Sequence, residues 1–157
     1  MDDKRNIRSF ASVDEILEYA LSMEDESWRF YRDWAEKTDN EAISIVFREF
    51  AGEELKHKKL IEDVRAGVKI LKPHHDVADL KLANHYIKPQ PSASMSYQDA
   101  LLIAIEREVA AIELYVHLMS ICVEEAFRNV FDALVDEEKE HKLRLETIYD
   151  DTFMKED

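Results

Sequence analysis

The chain is poor in the residues that break helices or staple loops. Its 157 residues include one cysteine, two glycines and three prolines. A single cysteine, Cys122, excludes an internal disulfide and any Cys-x-x-Cys metal site within this chain. Two glycines are too few for the turns of a many-stranded β fold. Positive charge is also scarce: 21 Lys and Arg stand against 35 Asp and Glu, a net charge of −14. So acidic a surface repels phosphate backbones and anionic lipid, so neither nucleic acid nor a membrane is an expected partner. No apolar stretch approaches the length of a membrane span. The opening residues Met1 to Asn6 have no apolar run behind their charges. No signal peptide is therefore expected, and the cytoplasm is the expected location.

What the chain does have is amphipathic helix. Hydrophobic residues make up 46% of it and charged residues 36%, which suits one packed all-α domain over residues 1–157. Ser12 and Glu15, and Thr38 and Glu41, have the spacing of a capping box, and Ser96 and Asp99 are a weaker version. Two helical hairpins are predicted, over about 12–66 and 96–149, joined by a crossover of about 67–95 that holds Pro73, Pro89 and Pro91. The fourth helix is predicted to start between Val123 and Ala126, and the acidic tail after Tyr149 to fray.

Each predicted helix carries an apolar stripe that turns polar near its middle. The first reads Leu17, Ala20, Glu24, Tyr31, Ala35, with Ser27 or Trp28 between Glu24 and Tyr31. The second reads Phe47, Phe50, Glu54, His57, Ile61, Val64, and the third Leu101, Ala104, Glu108, Ala111, Tyr115, Leu118. The fourth reads Phe127, Phe131, Leu134, Glu138, His141, Leu145, Ile148. One glutamate in a core is costly. Four glutamates and two histidines turned into one core call for a cation, or else for protons on the carboxylates.

Glu54-Leu55-Lys56-His57 and Glu138-Lys139-Glu140-His141 are both Glu-x-x-His, a spacing that puts two ligands on one helical face. With 20 glutamates and 6 histidines in the chain, about one such pair arises by chance. The stronger signal is an internal repeat. A shift of 84 residues makes 14 of the 53 pairs from Ser12 to Val64 identical, and those 14 include all six candidate ligands. Glu24 and Glu54 also lie 15 residues either side of Asp39, as Glu108 and Glu138 do about Val123. With turns at those points, every glutamate lies at one depth, roughly 20 Å from the turn. Carboxylate and imidazole donors suit iron or manganese and also accept zinc. Glu54 and Glu138 are the candidate bridges. Glu24 with His57, and Glu108 with His141, are the candidate terminal pairs.

One glutamate from each of two helices and Glu-x-x-His from each of the other two resembles the ferritin-like di-iron proteins, four-helix bundles with one long crossover. The chain resembles the rubrerythrin family more closely. The segments that carry this are Met23-Glu24 with Phe30-Tyr31, Glu53-Glu54-Leu55-Lys56-His57, Glu108 with Leu114-Tyr115, and Glu137-Glu138-Lys139-Glu140-His141. The resemblance implies two iron ions in a non-haem site that reacts with hydrogen peroxide or dioxygen. It also implies that Tyr31 and Tyr115 hydrogen-bond near the ligand carboxylates. Two departures stand out. Rubrerythrins proper carry a four-cysteine rubredoxin-like site, and a further glutamate where this chain has Ala111.

The expected function is therefore reduction of peroxide or dioxygen with electrons from a separate donor such as a rubredoxin, in a homodimer. Ferritin-like iron storage with ferroxidase activity and a di-manganese catalase are the alternatives. Other residues have plainer readings. Tyr31 and Tyr115 equally suit ordinary core positions, and Trp28 and Trp34 suit core or interface. His117 reads as a surface histidine, and His74, His75 and His85 as solvated crossover histidines. Gly52 reads as a packing glycine, one that could let helices approach near the site, and Arg107 as a surface residue.

Overall fold

The computed structural model describes residues 13–66, 96–121 and 125–154. It contains four helices of 25 residues each: α1 (Val13–Lys37), α2 (Glu41–Arg65), α3 (Tyr97–Ile121) and α4 (Glu125–Tyr149). At 1.5 Å per residue each spans about 37 Å. The residues expected in the crossover, including the three prolines and His74, His75 and His85, lie outside the described residues, as do Ser12 and Cys122.

Side-chain pairs give the helix directions. Tyr31 meets Glu108 and Glu24 meets Tyr115, so α1 and α3 are antiparallel. Glu53 meets His141 and His57 meets Glu137, so α2 and α4 are antiparallel too. Arg65 bonds Asp14 while Lys58 bonds Asp25 at 3.2 Å, which sets α2 against α1. Gln98 donates to Tyr149 and Tyr115 stacks on Phe131, which sets α3 against α4. The end of α2 and the start of α3 therefore lie at opposite ends of the bundle. This is the ferritin-like four-helix arrangement with one long connection, as the stripes predicted.

The inward stripes are buried as read, with Phe127, Trp28, Ser27 and Ile148 only partly covered. The core divides into two apolar blocks. One gathers Leu17, Ile61, Leu118 and Phe131; the other gathers Tyr31, Phe47, Phe50 and Leu101. The four central glutamates lie at the helix middles, between the blocks.

Ser96 caps α3 as expected, its Oγ accepting from Asp99 N at 3.2 Å. Thr38 does not cap α2. The cap is Asn40, whose Oδ1 accepts from Ile43 N at 3.2 Å. Thr38 is still bound to α1, its N donating to Trp34 O at 3.1 Å, so the chain needs two more residues to reverse. Asn40→Ala should cost about 1 kcal/mol of stability, and Thr38→Ala clearly less, by urea unfolding. Equal losses would put the cap back at Thr38.

The tail does not fray where expected. It continues as a π-helical turn, Asp150–Met154, with Phe153 packed on Tyr149 and Tyr97 at centroid distances of 5.1 and 6.1 Å. Gly52 also departs from its reading. It is exposed, and among the described residues no atom beyond its own helix lies within 4 Å of where its Cβ would stand, so α1, α3 and α4 do not approach it. In a solvated helix interior a glycine is about 1 kcal/mol less favourable than alanine.

Candidate metal centre

The apolar periodicity that buries each helix also carries its glutamate inward. Glu24, Glu54, His57, Glu108, Glu138 and His141 are all at most 3% exposed. They converge as two groups. Ligand atoms of Glu24, Glu54, His57 and Glu138 lie within 4.8 Å of one another, and so do those of Glu54, Glu108, Glu138 and His141. Each group could hold a metal ion. Glu54 and Glu138 belong to both.

The imidazoles are aimed by contacts at both ring nitrogens. His57 Nδ1 lies 2.9 Å from Glu138 Oε1 and 3.5 Å from both Glu24 Oε2 and Glu54 Oε2. His141 Nδ1 lies 3.1 Å from Glu54 Oε1 and 3.5 Å from Glu138 Oε2. On the far side of each ring, Nε2 meets a different carboxylate: Glu137 for His57 and Glu53 for His141. In the neutral ring, a proton held on Nε2 by such a carboxylate leaves the Nδ1 lone pair facing the cluster. The rings lie nearly parallel, with centroids 5.7 Å apart, and Phe50 stacks on His141.

Tyr31 donates its hydroxyl proton to Glu108 and Tyr115 donates to Glu24, so each tyrosine serves a carboxylate of the opposite hairpin. Burial, and then the neighbouring carboxylates, push both phenols well above their usual range, which keeps them donors. Tyr31→Phe or Tyr115→Phe leaves a buried carboxyl oxygen without its donor. Each change should destabilise the metal-free protein by about 1–3 kcal/mol in urea unfolding. A loss of a few tenths would make them ordinary core rings.

Two buried carboxylate oxygens here, Glu24 Oε2 and Glu108 Oε2, have no hydrogen-bond partner among the described residues, and His141 Nδ1 and Glu54 Oε1 face each other at 3.1 Å without hydrogen-bond geometry. Buried polar atoms are normally satisfied, and four left so in one cluster suit a site that takes a cation. The protonation pattern agrees. Burial, with Glu138 close by, drives the Glu54 and Glu108 carboxyls well above their usual range. Burial opposes charge on the histidines, but carboxylates around them reverse this and raise both. Glu138 is also desolvated, yet hydrogen bonds from Glu108 and the two histidines bring it well down. Two dications would replace that arrangement directly: their four positive charges match Glu24, Glu54, Glu108 and Glu138.

Glu53 and Glu137 had no role assigned in the sequence reading, although they are an identical pair in its repeat. Three buried charges on α4 were also missed: Asp136, Lys142 and Glu146, with Lys142 donating to Glu146 at 3.3 Å. Arg107 is half-buried rather than on the surface. Its guanidinium lies 5.2 Å from the Phe30 ring centroid and donates to Ser27 at 3.3 Å. No helix among the described residues is long and apolar enough to cross a membrane.

No individually curated protein matches the chain. The sequence profile of the rubrerythrin family matches residues 15–149, a span that contains all six converging residues and both tyrosines. The chain belongs to the rubrerythrin family.

Proposed function

We propose that this protein is a cytoplasmic di-iron oxidoreductase that reduces hydrogen peroxide or dioxygen with electrons from a separate protein such as a rubredoxin. The observation that carries this reading is the pair of buried four-residue groups sharing Glu54 and Glu138. Glu24 and His57 would complete one iron, Glu108 and His141 the other, with the two shared glutamates between them. Bound iron would supply the one-electron redox chemistry that no side chain here provides.

The remaining work falls to the protein. Glu53 and Glu137 hold the imidazoles in one orientation. Tyr31 and Tyr115 keep a proton on Oη and fix the Glu108 and Glu24 carboxylates. The apolar blocks on either side exclude water and strengthen every charge interaction between them. Reduction of one peroxide to two waters consumes two electrons and two protons. With one cysteine the chain has no rubredoxin-like site of its own, so the electrons come from outside it.

The test is peroxide turnover by iron-loaded protein with an added rubredoxin-type donor. Glu54→Ala should lower the rate by about a thousandfold or more, the loss of roughly 4 kcal/mol of barrier reduction. Equal rates for the two proteins would sink the reading. Iron content far above two per chain would favour storage instead.

A further inference from the structure

We propose that the two metal positions are unequal, and that the one held by Glu108 and His141 fills first because Phe50 braces both of its terminal ligands. This inference rests on the two-metal reading of the site and not on the reaction. The two groups are alike in themselves. Each has one terminal glutamate, one histidine and a share of Glu54 and Glu138. Each histidine turns Nδ1 to the cluster, its shortest carboxylate contact being 2.9 Å for His57 and 3.1 Å for His141. Each Nε2 meets a glutamate that is about 40% exposed. A difference between the metals has to come from what stands behind the ligands.

The 84-residue repeat shows where the two halves part. Phe47 and Phe131 are both phenylalanine, but Phe50 has Leu134 as its counterpart. The tyrosines accordingly share one contact: Tyr31 lies 5.8 Å from Phe47 and Tyr115 lies 5.8 Å from Phe131, between ring centroids. Only Tyr31 also meets Phe50, at 5.3 Å with the rings at 76°. Phe50 stacks on His141 as well, with centroids 4.5 Å apart and planes at 22°. Tyr31 is the donor to Glu108. One fully buried phenylalanine therefore touches the histidine of one metal and the tyrosine that fixes the same metal's glutamate. Among the described residues, His57 has no ring against it but that of His141, and Tyr115 none but that of Phe131.

The brace is itself held. The Arg144 guanidinium lies over the Phe50 ring, 5.1 Å from its centroid, and pairs with Glu49 at 2.9 Å. The repeat places Leu60 and Ala133 at these two positions, so the other half has neither group. Arg144 is 45% exposed and its charge is matched by Glu49, so it repels a cation at His141 only weakly. A ligand whose rotamer is already fixed by packing loses less freedom when metal arrives. Contacts that orient a metal-binding histidine are worth about 10–100-fold in affinity. Both histidines keep a carboxylate at Nε2, so the difference falls at the lower end, about tenfold.

Cobalt(II) is the probe, coloured when bound and accepted by the same nitrogen and oxygen donors. Titrated into the metal-free full chain, it should fill the wild type in two steps about tenfold apart. His57→Ala keeps the group around His141, and His141→Ala the group around His57. The first variant should bind cobalt about tenfold more tightly than the second. Adding Phe50→Leu, which copies the repeat, should weaken the His57→Ala chain about tenfold and change the His141→Ala chain less than about twofold. A general loss of bundle stability would weaken both alike, and circular dichroism checks that each chain is folded. Arg144→Ala spares the core and should weaken the His141 site alone, by about threefold. Equal affinities in the two single-histidine chains overturn the proposal. So does a His141 site that neither Phe50→Leu nor Arg144→Ala weakens by more than about twofold. A wild type that binds no cobalt sinks the two-metal reading itself, and this proposal with it.

Discussion

Alanine at Glu54 should cost the protein both metals rather than one. Glu54 contributes a ligand atom to each of the two groups, as only Glu138 does besides. His57 or Glu24 belongs to one group alone, so His57→Ala should leave the site around His141 able to bind. Elemental analysis of anaerobically purified protein should therefore find about two irons per chain in the wild type, about one in His57→Ala, and well below one in Glu54→Ala. Stability supplies a second reading. Metal present at a hundred times its dissociation constant adds about 2.7 kcal/mol to the folded state. For a chain of this size that raises the melting temperature by about 5–10 °C. Glu54→Ala should lose that increment. Its metal-free form should lose little, because burial and the Glu138 and Glu24 carboxylates already make Glu54 an unfavourable group there. A Glu54→Ala protein that retained two irons would sink the idea of shared ligands.

The bundle was legible because its evidence is periodic. Burial of Leu17, Ala20, Glu24, Tyr31 and Ala35 follows from a 3.6-residue repeat alone. The six converging residues were legible for a different reason: the 84-residue repeat and their equal depth about the turns required them to meet. Period and depth do not report which side chain reaches across to which helix. Glu53 sits one residue off the inward face of α2 and reads as solvated. Only with α4 antiparallel alongside does its carboxylate meet His141 Nε2. Spacing also placed the α2 cap at Thr38, because spacing does not count the residues a reversal consumes. Gly52 was read as a close-packing residue, and among the described residues no other helix packs against it. In each case the missing information was a neighbour, not a propensity.

Glu53 and Glu137 should each tune one metal, and each the metal on the histidine it touches. Both are about 40% exposed, and neither belongs to the converging groups. Their contact is with Nε2, on the side of the ring away from the cluster. A carboxylate there holds the ring in place and makes Nδ1 a better donor. Loss of such a partner typically weakens metal binding by about 10–100-fold. Glu137→Ala should therefore weaken the iron held through His57, and Glu53→Ala the iron held through His141. Combined, the changes should approach the product of the single effects if the two contacts act independently. Glutamine in place of either glutamate separates the contributions. Its amide oxygen still accepts from Nε2–H without the charge, so it should recover part of the affinity that alanine loses. Competition against a chelating dye, with ferrous ion added stepwise, measures all of this without reference to turnover. A purely structural role would instead appear as a lower melting temperature of the metal-free protein, with affinities in the double alanine variant unchanged within about twofold. That outcome would make the two glutamates ordinary ion-pair partners of the histidines.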